Sequence, residues 1–176
     1  KKIGVREGEH VKKDQVLFVL DDKRFASEYK EGLTKLAVLK ADIVRLTAKV
    51  DGAEKLEFNS EFETSYPEQV EEAKKFFTRD KEAFNRNIAL LNKQYQLLKK
   101  ELDIMSPLSK QGVVSEVEIL RLQRQAVALQ QAIEDKKNIE ADQAREQLNK
   151  AQGDYSVLQE TLAESRDKML RSVIRS

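Results

Sequence analysis

The chain has 176 residues, 36% charged and only 6% aromatic, with no Cys and no Trp, and 32 basic side chains nearly balance 31 acidic ones for a net charge of +1. That balance leaves no electrostatic footprint for nucleic acid, the lack of Cys excludes disulfides, thiolate zinc sites and cysteine nucleophiles, and a single His cannot build a histidine metal site or a His-containing triad. No run of about 18 apolar residues could span a bilayer, and 6 Gly and 2 Pro in a background rich in Glu, Lys, Gln, Ala, Leu and Arg point to a few long helices.

Residues 1–22 read as strands. Val16-Leu17-Phe18-Val19-Leu20 is an apolar, β-rich run, Ile3 and Val5 alternate with polar or small neighbours, and Glu7-Gly8 offers a turn. Two short strands cannot hold themselves together in water, so this piece needs pairing partners elsewhere. His10 reads as a surface or turn residue. With no initiating Met and no signal-peptide pattern, the chain reads as a piece of a longer protein.

The period then changes. Phe25, Tyr29, Gly32, Leu36, Leu39, Ile43, Leu46 and Val50 step by four and three, a heptad seam with one glycine defect, predicting a first helix over 23–50. Asp21 or Asp22 is a suitable N-cap, and Asp51-Gly52 a suitable stop. Residues 51–66 keep no clear period and read as an irregular connection anchored by Leu56, Phe58 and Phe62. Pro67 opens a second helix, where its missing N–H costs nothing. Its seam runs Val70, Ala73, Phe77, Asp80, Phe84, Ile88, Leu91, Tyr95, Leu98, Leu102 and Met105. Ser106-Pro107 should end it at 105, because the residue before a proline is pushed out of the α region.

Residues 106–114 form a turn around Gly112, and Ser115-Glu116-Val117-Glu118 has the spacing of a capping box, starting a third helix over 115–171. One seam holds Leu122, Ala126, Leu129 and Ile133; a second holds Ala144, Leu148, Ala151, Tyr155, Leu158, Leu162, Ser165 and Met169. They are offset by eleven residues, a hendecad step that predicts a local change of supercoil. At 1.5 Å per residue the helices are roughly 40, 58 and 85 Å long, far beyond an ordinary globular helix. The short turn makes the second and third helices antiparallel neighbours. The fold class is therefore mostly α: a long antiparallel coiled-coil hairpin of three helices, its outbound leg broken, that brings both chain ends to a common foot. Residues 172–176 turn β-like again.

At both ends the chain resembles a known family. Residues 5–21 (VREGEHVKKDQVLFVLD) look like the first half of a biotinyl/lipoyl-like domain, with Asp14 where glycine is usual, and residues 170–176 (LRSVIRS) resemble the entry into the second half. A helical hairpin between two lipoyl halves is the mark of periplasmic adaptors, or membrane fusion proteins. Leu108, Ser115 and Glu118 match the family's hairpin-tip pattern, while the position four before that leucine, an arginine in drug-efflux members, is Ile104; Arg121 or Arg124 would supply the charge. The broken outbound leg and Phe76-Phe77 look more like the HlyD-type adaptors of type I secretion. The resemblance implies a non-enzymatic periplasmic protein that bridges an inner-membrane ABC transporter to a TolC-like outer-membrane channel for export of an unfolded protein. It implies a ring, six copies by analogy, and an inner-membrane anchor preceding residue 1. It also implies Leu108, Gly112, Ser115, Arg121 and Arg124 as the partner-binding tip. Neither a cofactor nor a metal is implied. Asp22-Lys23 repeats the dipeptide that carries lipoate in true carrier domains, but Lys23 stands at a helix start. The alternatives are a drug-efflux adaptor of the same architecture, a cytoplasmic coiled-coil scaffold, and a carrier-domain enzyme subunit.

Overall fold

A computed structural model describes residues 2–3, 10, 16–19, 23–171 and 173–175, and the side-chain surroundings of residues 10 and 26–167. The elements are β1 (Lys2–Ile3), β2 (Val16–Val19), α1 (Lys23–Val50), α2 (Ser60–Ser65), α3 (Pro67–Lys110), α4 (Glu116–Arg171) and β3 (Val173–Arg175). The proposed caps Asp21 and Asp22 lie outside the described residues. The chain is mostly helical and divides into two compact units.

The first unit comprises Lys1–Val44, Glu57–Val70 and Gln147–Ser176. β2 lies between β1 and β3 and pairs antiparallel with both, with Phe18 opposite Ile3 on one side and Ile174 on the other. The strand entering α1 and the strand leaving α4 are thus neighbours, so the two ends of the helical segment meet here. The buried residues of α1 in this unit are small: Gly32, Ala37 and Ala41. At Gly32 the approach is so close that an added Cβ would overlap Leu162 Cδ2 and stand 3.3 Å from its Cγ. The apparent glycine defect in the seam is a point of close helix contact.

The connection over 51–66 is more ordered than its lack of period implies, since it contains α2. Asn59 caps this helix, its Oδ1 accepting the Glu61 N–H at 2.8 Å. Phe62 is buried, stacked on Phe58 at 5.7 Å and tilted against Tyr66 at 5.2 Å, with the Lys40 ammonium over its ring. Tyr66 (φ −137°, ψ 57°) is the sole residue between α2 and α3. Pro67 forces that break, since its ring disfavours helical geometry at the residue before it.

The second unit comprises Arg45–Leu56 and Glu71–Glu146. Here α1 ends in a Schellman motif. Gly52 (φ +65°) is the left-handed residue, its N–H donates to Lys49 O at 3.3 Å, and Ala53 N–H donates to Ala48 O at 2.8 Å. The carbonyls that follow are taken up from α3: the Lys81 ammonium donates to Ala53 O (3.1 Å), Glu54 O (3.0 Å) and Glu54 Oε2 (3.0 Å). α3 and α4 form an antiparallel hairpin. Leu98 and Glu101 share a groove with Gln125 and Leu129, whereas Phe77 and Phe84 share a cleft with Lys137 and Ala141, so α4 numbering rises as α3 numbering falls.

Leu122 is the best-buried large side chain of this seam, at 2% exposure, with Phe77, Ile119, Ile133 and Ala144. The eleven-residue gap between Ile133 and Ala144 is bridged by the half-buried Lys136 and Glu140, steps of three, four and four. Lys49 of α1 meets the Glu140 carboxylate at 2.6 Å. Asp80, which the sequence places in the apolar seam, is half-buried and faces Arg45 at 3.9 Å.

Candidate functional site: the hairpin tip

The tip is built from the last turn of α3, residues 111–115 and the first turns of α4. Helix α3 does not stop at Ser106. It continues through Pro107 to Lys110, which shortens the turn from the nine residues expected. Pro107 removes one N–H and crowds the carbonyl of residue 103, a cost of up to about 3 kcal/mol in a helix interior. Lying three residues before the helix end, it is offset by the cap that follows. Gly112 (φ +76°) donates to Ser109 O at 2.9 Å, and Val113 donates to Leu108 O at 3.0 Å, the paired bonds of a second Schellman motif. Nothing lies within 4 Å of where a Gly112 Cβ would be, so the glycine serves backbone conformation alone.

Ser115 starts α4, its carbonyl accepting the N–H groups of Glu118 (3.0 Å) and Ile119 (3.4 Å). The reciprocal capping box is not formed, because Arg121 competes for the glutamate. Arg121 Nε donates to both Glu118 carboxylate oxygens, at 3.2 and 3.1 Å, and Nη2 adds a third bond. The hydrogen-bonded Glu118 carboxylate, and more distantly Glu101 of α3, push the Arg121 guanidinium further up from its already high value. It is committed to this pair. Arg124 instead donates to Leu120 O at 3.4 Å and meets no carboxylate among the described residues, so it is a cation the tip leaves available.

Of the residues singled out by sequence, Gly112, Ser115, Arg121 and Arg124 are exposed. Leu108, which the structure places in the last turn of α3, is half-buried. The residues that do project were missed: Val113 (69% exposed), Val117 (70%) and Leu120 (52%). Their spacing of four and three, one or two residues out of phase with the seam at Ile119 and Leu122, was the available signal. Leu120 and the exposed Val127 also line a shallow groove beside Arg124. Such a surface can hold a partner through modest apolar contact, a serine hydroxyl and one guanidinium.

Among the described residues, no group of three or more His, Cys, Asp or Glu could hold a metal ion, and no helix is long and apolar enough to cross a membrane. Searches find no matching protein-family model and no matching curated protein sequence. A solved structure does match: the soluble domain of LipC, a membrane fusion protein of a type I secretion system. The TM-score is 0.62 at 19% identity, and the match covers 100% of this chain and 84% of that one. At that identity the likeness establishes the fold: this chain folds like the soluble domain of a membrane fusion protein.

Proposed function

We propose that this chain is the hairpin-bearing part of a periplasmic adaptor of a type I secretion system, and that it acts by assembly rather than by catalysis. Its tip would meet the helical tips of a TolC-like outer-membrane channel. The complete protein, anchored in the inner membrane, would dock on an ABC transporter that exports an unfolded protein. The observation that carries this reading is the likeness, over the whole chain, to a membrane fusion protein of such a system. The pairing of β2 with β3 supports reading the flanking segments as two halves of a lipoyl-like domain interrupted by the hairpin. At the tip, the exposed Val113, Val117 and Leu120 beside Ser115, Gly112 and the uncommitted Arg124 suit a weak, reversible contact. Repeated around a ring, six copies by analogy, weak contacts gain strength through effective concentration.

Cysteine crosslinking in intact, secreting cells tests this. Cysteines at positions 108, 115 and 117 should crosslink to an outer-membrane channel, whereas one at Val157, exposed on α4 in the first unit, should not. Ser115→Asp and Val117→Asp should abolish the crosslink and leave helicity by circular dichroism unchanged. Absence of any channel crosslink from all three tip positions would sink the proposal.

A further inference from the structure

A second exposed face runs along α3, away from the tip. One residue before each of the seam residues Phe77, Phe84, Leu91, Leu98 and Met105 stand Phe76, Ala83, Leu90, Leu97 and Ile104. The four large ones are 39%, 58%, 58% and 66% exposed. Two residues after the first four of those seam positions stand Arg79, Arg86, Lys93 and Lys100, every one basic and exposed; Arg79 and Arg86 already meet Asp80 (3.8 Å) and Glu82 (3.5 Å), which leaves Lys93 and Lys100 as the cations without a carboxylate partner among the described residues. Residues three apart on a helix are neighbours, so the apolar row and the basic row run side by side. The Arg79 guanidinium lies 4.8 Å from the Phe76 ring centroid, direct evidence of that adjacency. The other edge of the apolar row carries Asp80, Asn87, Gln94 and Glu101 and so lacks positive charge.

Seven residues span roughly 10.5 Å of helix, so the pattern repeats at coiled-coil spacing over about 40 Å. The four large side chains leave on the order of 400 Å² of apolar surface uncovered, the size of patch that in a monomer is often functional. We propose that this face of α3 binds a helix of a different protein, one whose apolar seam repeats every seven residues and is edged by carboxylates.

Two other occupants fit less well. A second copy of this chain could offer the exposed row of Val113 in the turn and Leu120 and Val127 on α4. That row is edged by Glu116, Gln123 and Gln130 on one side and Val117, Arg124 and Gln131 on the other, a single carboxylate to meet the two cations, Lys93 and Lys100, that no carboxylate of this chain takes up among the described residues. An anionic membrane surface would satisfy the cations, but a row one residue wide falls short of the apolar face, about 100° wide or more, of interfacial helices. The proposal is independent of the adaptor reading, because the face lies on the shaft of α3 and its test does not involve the tip.

The test uses two synthetic four-heptad helical peptides with identical leucine seams, one edged with Glu and one with Lys, titrated by fluorescence anisotropy at low salt. The Glu-edged peptide should bind about tenfold more tightly, the worth of a few exposed ion pairs. Lys93→Glu with Lys100→Glu should reverse the preference, and Leu90→Ser with Leu97→Ser should weaken both peptides at unchanged helicity. Equal binding of the two peptides, or no reversal by the charge swap, would overturn the proposal. So would dependence on these leucines only for phosphatidylglycerol vesicles or only for self-association in sedimentation.

Discussion

The contact between Gly32 and Leu162 lends itself to a double-mutant cycle. Replacing Gly32 by Ala improves helix propensity by about 1 kcal/mol. The new methyl would, however, overlap Leu162 Cδ2 and press on Cγ at 3.3 Å, where carbon atoms normally rest about 3.5–4.0 Å apart. Leu162 is only 7% exposed and has little room to turn away, so overpacking of about 1–3 kcal/mol outweighs the gain. Gly32→Ala should therefore destabilise by about 1 kcal/mol. Leu162→Ala alone should cost about 3 kcal/mol, as burial and a cavity dictate. In the double variant the methyl introduced at position 32 enters space that Leu162 has vacated. That variant should be only about 2 kcal/mol less stable than the parent, a favourable coupling of about 2 kcal/mol relative to additivity. At about 2–4 °C per kcal/mol for a chain of this size, its melting midpoint should lie about 4–8 °C above the additive expectation. Thermal and urea unfolding followed by helical circular dichroism measure all four corners. Additivity within about 0.5 kcal/mol would refute the reasoning, since it would mean that the two positions do not share a contact.

Gly112→Ala should cost about 1–2 kcal/mol because Gly112 is left-handed, with Gly112→Asn recovering part of the loss; calorimetry of the three proteins ranks them. Lys81→Met removes three hydrogen bonds from the end of α1 and should speed amide exchange across residues 53–56 while leaving exchange around Leu122 unchanged. The Glu31 carboxyl is held below the usual carboxylate range by its hydrogen bond with Lys35 and by that ammonium's charge. With its folded pKa depressed, the pair stabilises above the unfolded value and loses its contribution as pH falls through the folded one. Glu31→Gln should therefore be slightly less stable than the parent at neutral pH and equal to it in strong acid, and added salt should erase the difference.

Heptad periodicity was legible because it is a local pattern. The seams of α1, α3 and α4, and the hendecad step between Ile133 and Ala144, are visible without any knowledge of what packs where. The six-residue α2 carries no readable period and was hidden in what looked like a loop. Pro107 was read as a stop because the local rule for the preceding residue is strong, yet the Schellman cap at Gly112, itself local, sustains one more turn. The Ser115 and Glu118 spacing of a capping box was real, but Arg121, three residues further on, won the carboxylate. At the tip, the turn at Gly112 is legible in the sequence, whereas Val113, Val117 and Leu120 lie off the heptad seam and their exposure depends on what packs against α4.

The order of residues along this chain was enough to determine that it forms long helices, which face of each is apolar, and where glycine must end them, since each depends on neighbours within a turn or two. Tertiary structure alone decided how near α1 approaches Leu162, which side chain takes the carbonyls beyond Gly52, and which apolar rows stay bare. Those outcomes depend on residues that lie 27 to 130 positions apart in the chain and meet only when helices pack, and no local period encodes such meetings.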